Sequence, residues 1–136
     1  MILYHRSPLE PWPAISASGR LEPRWPRDGN WPRTVHLTDE VDKLPWGWDA
    51  TTHPLVVKVD VEAEAWSPWG RAHVPRNAWA SLGIHPEVPS PWGYDVTTNN
   101  EHSGHWYVTT NMVPSTQWLE VRRLDTGEVL WPASAP

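Results

Sequence analysis

The most regular pattern of apolar and polar residues runs through the middle of the chain, over the segment LVVKVDVEAEA. Side chains of the two kinds alternate there, and a period of two residues is typical of a β-strand with one buried face. The apolar set is Val57, Val59, Val61, Ala63 and Ala65, and the polar set is Lys58, Asp60, Glu62 and Glu64. The sequence therefore predicts a strand that buries its valines and leaves a row of charges in solvent.

Shorter runs of β-forming residues predict further strands near both ends of the chain. One runs from Ile2 to Tyr4 and ends at a histidine, and another runs from Thr34 to Leu37. The segments HWYVTT, which begins at His105, and WLEVRRL, which begins at Trp118, predict two more. An Asp-Thr-Gly sequence at 125–127 predicts a turn, after which EVLW returns as the other arm of a hairpin.

Capping residues, prolines and glycines predict three helices. The sequence Ser7-Pro8-Leu9-Glu10 matches a capping box, and the first helix is expected over Trp12 to Ser18, with Gly19 as its left-handed cap. Thr38 is expected to cap a brief helix, because two acidic residues follow it. The third helix is expected over Pro75 to Leu82.

The order of these elements predicts a mixed α+β fold. Strands outnumber helices, and those near the C-terminus follow one another through hairpin turns, which favours antiparallel pairing among six or seven strands. A length of 136 residues fits one domain, so a single domain is expected over residues 1–136. The proline-rich segments 20–33 and 84–104 are predicted loops.

Composition and charge exclude several classes of protein. The chain has no Cys, which excludes disulfides, cysteine zinc clusters and thiol nucleophiles. Its formal net charge of −5 argues against a sequence-independent grip on nucleic acid. No apolar run approaches the roughly 20 residues of a membrane span, and no basic leader precedes the first strand, so a cytoplasmic protein without a membrane partner is expected. Twelve Trp without any Phe also make aromatic binding surfaces a prospect.

Histidines carry most of the chemistry that the sequence offers, since it has no phosphate-binding glycine loop, nucleophile elbow or zinc-protease helix. His5 ends the first strand, and His36 lies inside another; either residue alone is commonly a hydrogen-bonded core histidine. His102 and His105 could bind a metal with His85 or Glu101, but a loop supplies them. No metal site is therefore predicted.

Five segments, taken in order, resemble a known enzyme family. They span Leu3 to Trp118 and read LYHRS, SGRLEP, RTVHLT, LVVKVDVEAEA and GHWYVTTNMVPSTQW. This series is similar to the catalytic domain of the NAD-dependent RNA 2′-phosphotransferases, within the ADP-ribosyltransferase superfamily. The opening also resembles that of the DNA-targeting ADP-ribosyltransferase toxins, in which a residue other than Gly follows the histidine.

The resemblance implies a split β-sandwich with short helices and a cleft for NAD, which is a substrate. In such a transferase the nicotinamide–ribose bond breaks and ADP-ribose passes to an acceptor. His5 would bind ribose hydroxyls, the main chain of Arg6 would bind the nicotinamide amide, and His36 would pack on the nicotinamide ring. The implied catalytic residues are His5, His36 and Trp106, and the implied NAD-binding residues are His5, Arg6, Ser7, His36 and Thr38.

Two departures from the family pattern keep other functions open. Trp106 lies at or next to the third motif position, where many transferases have Glu, and the segment WGWDATTHP has no counterpart of the arginine that grips the 2′-phosphate. One alternative is a catalytically inactive binding module of the same fold, for a nucleotide or protein partner. Another is a Trp-rich carbohydrate-binding domain unrelated to NAD.

The acceptor is not specified by the sequence. Arg6, Arg24, Arg27 and Arg33 form a local basic cluster between the two motif histidines. If the acceptor is a nucleic acid or another phosphate, Arg24, Arg27 and Arg33 are expected to contact it. A protein acceptor and a simple solvated loop are the alternatives.

Overall fold

The computed structural model describes residues 1–24, 33–44, 48–65 and 105–132. The predicted helix over Pro75 to Leu82 and the predicted loop 84–104 lie outside the described residues, as does Arg27.

Nine strands and one α-helix make up the described part of the chain. The strands are β1 (Ile2–Ser7), β2 (Arg20–Leu21), β3 (Val35–Thr38), β4 (Leu55–Asp60), β5 (Glu64–Ala65), β6 (Trp106–Thr109), β7 (Val113–Pro114), β8 (Trp118–Arg123) and β9 (Val129–Trp131). The helix, α1, spans Trp12–Ser18, and a short 3-10 turn spans Ser115–Gln117. Within the described residues, no helix is long and apolar enough to cross a membrane.

Seven strands form one antiparallel sheet in the order β5-β6-β3-β1-β4-β8-β9, and β2 and β7 form a separate antiparallel pair. The described residues thus form a strand-rich α+β fold, as the order of elements predicts, and they contain a single short helix. The strand order also places β1, which carries His5, directly beside β3, which carries His36.

The pairing of β1 with its two neighbours is unequal. β1 pairs with β4 along its whole length, from Ile2 opposite Asp60 to Ser7 opposite Leu55. On its other side it pairs with β3 only where Tyr4 lies opposite Thr38. The main-chain ladder between β1 and β3 therefore does not extend along the second half of β1.

The core lies on the face of the sheet that α1 covers. Leu3, Val57, Val59 and Val121 are fully buried there, and α1 packs against them through partly buried side chains. The alternation predicted for β4 is confirmed at its C-terminal end, because Val59 is buried and Asp60 is exposed. Burial of these side chains from three adjacent strands is the main apolar contribution to the stability of the sheet.

Three of the tryptophans belong to this core. Trp118 is buried, with its ring centroid 6.3 Å from that of Trp12 and 5.4 Å from that of Trp131. Its indole Nε1 donates a hydrogen bond to the carbonyl of Val113 at 3.2 Å. The polar group of this large side chain is thereby satisfied inside the core.

The segment predicted as one strand from residue 55 to 65 forms two separate strands. β4 ends at Asp60, and the Val61 N–H donates to the carbonyl of Met1 at 3.0 Å. The chain then forms β5, which pairs with β6 at the edge of the sheet opposite to β9. The prediction of one continuous strand was wrong, because apolar and polar residues continue to alternate across the point where the chain leaves β4 and before it forms β5.

Both predicted helix starts that depend on hydroxyl caps were wrong, whereas the predicted bounds of α1 are confirmed. Ser7 does not cap α1, because it is still part of β1 and its hydroxyl donates to the Pro8 carbonyl. The N-cap is Pro11, and no side chain caps the helix. Gly19 forms the left-handed cap with φ 67°. Thr38 ends β3, and the residues after it form a turn instead of a helix.

The predicted C-terminal hairpin is confirmed. β8 and β9 pair antiparallel, with Val121 opposite Trp131. Gly127 adopts φ 76° in the turn, and its N–H donates to the carbonyl of Arg123 at 2.8 Å. Glycine suits this position because residues with a Cβ rarely adopt a positive φ.

Candidate functional site

A cleft with a volume of about 790 Å³ opens beside the second half of β1. Its walls come from the end of β1, from α1, from the segment that follows α1 as far as Arg24, from the start of β3, and from Trp48. This volume lies within the range of about 300–1,000 Å³ that is typical of small-molecule and cofactor sites. The cleft lies where the ladder between β1 and β3 is missing.

His5 and His36 both line this cleft and are joined by a hydrogen bond. The Nδ1 atom of His5 lies 2.9 Å from the carbonyl oxygen of His36, which is 31 residues further along the chain. A carbonyl oxygen only accepts hydrogen bonds, so Nδ1 carries the proton. This hydrogen bond joins β1 and β3 in the region where their main chains are not paired.

The protonation state of His5 follows from its surroundings. Burial lowers the pKa of His5 below its ordinary value of 6.5, although the hydrogen bond to the His36 carbonyl acts in the opposite direction. The imidazole is therefore neutral at pH 7. With the proton on Nδ1, Nε2 has a lone pair that can accept a hydrogen bond from a hydroxyl group.

Arg6 is buried, and its guanidinium is engaged away from the histidine pair. Its Nε and Nη2 donate to the carbonyl of His53 at 3.0 and 2.6 Å, and its Nη1 donates to the carbonyl of Val41 at 2.5 Å. Burial lowers the pKa of Arg6, while Asp49 and Asp42 act to raise it. The guanidinium thus holds two loops against β1, which is compatible with a role for the main chain of Arg6 at the cleft.

The segment Trp48–His53 contributes to the cleft wall, which the sequence does not predict. The Trp48 ring lines the cleft and stacks on His53, with centroids 3.9 Å apart and planes 14° from parallel. The Asp49 carboxylate accepts hydrogen bonds from the N–H groups of Thr51 and Thr52 at 2.8 and 3.0 Å. These two bonds are the main reason that the pKa of Asp49 is lowered. The Asp-x-Thr-Thr sequence signals such a turn, but no local signal indicates which surface it meets.

Two of the residues implied by the resemblance lie away from the cleft lining. Thr38 is buried opposite both Tyr4 and Trp106, and its hydroxyl has no hydrogen-bond partner among the described residues. Trp106 is buried, and its Nε1 donates to the carbonyl of Lys43 at 2.8 Å. Trp106 therefore lies beside the Tyr4–Thr38 pairing that joins β1 and β3, whereas Ser7 lines the cleft with His5.

Of the arginines proposed to contact an acceptor, Arg24 and Arg33 belong to the described residues, and they differ in their relation to the cleft. Arg24 is exposed and lines the cleft, and Arg33 is exposed but does not line it. Arg6 also lines the cleft, but its side chain is buried and its guanidinium is bonded to the carbonyls of His53 and Val41. Of the predicted basic cluster in the described residues, Arg24 is the member placed to meet a ligand in the cleft.

His105 joins the start of β6 to the end of β3. Its Nδ1 lies 2.8 Å from the Asp39 carboxylate, and its carbonyl accepts a hydrogen bond from the Asp39 N–H at 3.0 Å. The other residues considered for a metal site (His85, Glu101 and His102) lie outside the described ranges. Within those ranges no three His, Asp or Glu side chains are grouped to bind a metal.

The lowered pKa values of two histidines predict a loss of stability in mild acid. Burial lowers the pKa of both His5 and His53, so folding favours their neutral forms. Their contribution to stability is fully present above pH 6.5 and is lost as the pH falls below that value. We expect the urea midpoint to fall between pH 7.5 and 5, and His5→Asn to reduce that fall. An equal fall in the wild-type chain and the variant would contradict the assignment to His5.

No protein-family model matches this chain, and no curated protein or solved structure matches it either.

Proposed function

We propose that this chain is an NAD-dependent ADP-ribosyl transfer enzyme with a split, ADP-ribosyltransferase-like β-sandwich. It would cleave the nicotinamide–ribose bond and pass ADP-ribose to a nucleic-acid, phosphate or protein acceptor. One observation carries the proposal: His5 and His36 come from separate strands, are joined by a 2.9 Å hydrogen bond, and line the same cleft. The single pairing between β1 and β3 supports the finer fold, because it marks where the sheet would split.

The groups that line the cleft suit the parts of a dinucleotide. The neutral His5 offers Nε2 to a ribose hydroxyl, and Ser7 next to it offers a hydroxyl. The stacked Trp48 offers an aromatic surface to a flat heterocycle. Arg24 adds positive charge for a phosphate-bearing ligand, whereas the neighbouring Arg20 is already ion-paired with Glu22.

The chemistry that this arrangement supports is mainly one of orientation. When the bond between C1′ of the ribose and N1 of nicotinamide breaks, its electron pair stays with the nicotinamide nitrogen and positive charge develops on the ribose. A hydrogen bond from a ribose hydroxyl to His5 would hold the sugar in place, and His36 would pack on the nicotinamide ring. Fixed orientation can supply a large part of a rate enhancement, because the entropy of alignment is lost on binding and not during the reaction.

A binding module without turnover is the second candidate, and a specific observation favours it. Trp106, at the third motif position, is buried with its indole bonded to the Lys43 carbonyl, so that position supplies no carboxylate to the cleft. A carbohydrate-binding role has less support among the described residues. There Trp12 of α1 and Trp131 pack against Trp118 in the core, and only Trp48 lines the cleft.

Incubation with NAD tests the proposed function directly. We expect the wild-type chain to release nicotinamide at pH 7.5, measured by chromatography, and the double variant His5→Ala/His36→Ala to release none above background. Absence of release from the wild type, or equal release from the double variant, would contradict an enzyme. Saturable quenching of tryptophan fluorescence by NAD and ADP-ribose, without release, would instead indicate the binding module; quenching by oligosaccharides alone would indicate carbohydrate binding.

A further inference from the structure

Glu10 lies at the edge of the cleft, in the short connection between β1 and α1. Its side chain is exposed, and it lines the cleft together with His5 and Ser7. It also lines a second, smaller cavity of about 380 Å³ that includes Trp12 and Arg123. Glu10 is therefore part of the wall between the cleft and the neighbouring surface.

The carboxylate of Glu10 has no structural role among the described residues. The sequence predicts that it closes a capping box, but α1 begins after Pro11 and has no side-chain cap. No hydrogen bond or ion pair joins Glu10 to another described residue. Glu22, the other carboxylate that lines the cleft, is ion-paired with Arg20. Glu10 is thus the carboxylate in this lining that remains available to a ligand.

We propose that Glu10 accepts the proton of the nucleophile that attacks the ribose, and so acts as the general base of the transfer. This proposal rests on the proposed function. A water or alcohol nucleophile must lose a proton as its oxygen bonds to C1′, and a carboxylate at the edge of a cleft can take that proton. An exposed position is suitable, because the acceptor reaches the cleft from solvent.

The step balances in atoms and charge. The C1′–N1 bond breaks, and its electron pair remains on N1, so nicotinamide leaves as a neutral molecule. The oxygen of the nucleophile forms the new bond to C1′, and its proton passes to the Glu10 carboxylate and then to solvent. The products are ADP-ribose joined to the acceptor, nicotinamide and one proton.

His5 also lines the cleft, and it is less suited to this task. The Nδ1 of His5 is committed to the His36 carbonyl, and its Nε2 is the atom that the proposed function assigns to a ribose hydroxyl. His5 therefore positions the sugar, and Glu10 receives the proton.

Rescue by azide tests this role with NAD and water as the reactants. We expect Glu10→Ala and Glu10→Gln to lower the kcat of nicotinamide release by about a hundredfold while KM changes little. Azide is an anionic nucleophile without a proton to lose. Sodium azide should therefore restore nicotinamide release by Glu10→Ala and produce ADP-ribosyl azide, detected by mass spectrometry. The matched control is Glu128→Gln, which removes a carboxylate in the β8–β9 hairpin away from the cleft and should keep wild-type kcat with water.

The outcomes separate this proposal from the proposed function. If the wild type releases nicotinamide and the Glu10 variants do so equally well, the base assignment is overturned and the enzyme remains. Loss of activity without azide rescue, or a large rise in KM, would overturn it too, since either indicates a binding or structural role. If the wild type itself releases no nicotinamide, the proposed function fails and this inference falls with it.

Discussion

The variant His5→Asn is expected to remain folded and to lose nicotinamide release by several hundredfold. The Asn side-chain nitrogen can occupy the place of Nδ1 and donate to the His36 carbonyl, so the contact at 2.9 Å between β1 and β3 is retained. Asn has no counterpart of Nε2, which is the acceptor assigned to the ribose hydroxyl. Removal of one preorganised hydrogen-bonding group from an active site commonly costs about 10²–10³ in rate.

Two companion variants make this prediction specific. His5→Gln places its amide near the position of Nε2 and loses the donor to His36, so we expect it to unfold at lower urea concentration than His5→Asn. His5→Ala loses both groups and should be impaired in stability as well as in turnover. The measurements are nicotinamide release and urea unfolding followed by circular dichroism. If His5→Asn turns over NAD like the wild type, His5 has no role in the reaction and only joins two strands.

The variant Arg6→Ala is expected to give the largest loss of stability, about 3 kcal/mol in the free energy of unfolding. Three hydrogen bonds from the guanidinium reach the carbonyls of His53 and Val41, and hydrogen bonds to charged groups contribute about 1.5–3 kcal/mol each before relaxation. The expected loss is smaller than the sum of the three contributions, because water can reach part of the vacated space and hydrogen-bond to the carbonyls. The same change should release the segment that holds Trp48 and thereby weaken NAD binding.

Urea unfolding of a small series checks the Arg6 prediction. Arg6→Lys retains the positive charge but cannot donate to both carbonyls in the same fork, so it should lie between the wild type and Arg6→Ala. Arg123→Ala is the control, since that guanidinium bonds to Asp125 at the surface of the β8–β9 hairpin and should change the midpoint much less. Equal midpoints for Arg6→Ala and Arg123→Ala would refute the role of Arg6 as a buried clamp.

Local patterns predicted several of the strands and turns because burial on one face and tight turns select particular residue types. The valines of β4 and the Asp125–Gly127 turn are examples, since burial on one face and a positive φ each select particular residue types. The same kind of signal predicted α1 over Trp12–Ser18 and its Gly19 cap.

Local patterns were misleading where a partner strand overrides them. Ser7 has the residue type of a helix cap, but its pairing opposite Leu55 keeps it in β1. Thr38 has the same type, but it is held opposite Trp106 in the β3–β6 pair. Ladder hydrogen bonds to an adjacent strand satisfy the backbone at these positions, and the sequence around either residue does not reveal that partner.

By itself, the sequence determined that this is a strand-rich α+β chain without cysteine chemistry, and it singled out His5 and His36 by their places in ordered segments. The tertiary structure decided which side chains meet. The strand order places His5 and His36 in one cleft. Trp106 is buried with its indole bonded to the Lys43 carbonyl, and Trp48 reaches the cleft wall from a loop. The reason is that periodicity and capping depend on residues a few positions apart, whereas these contacts depend on the pairing of strands that are far apart in the sequence.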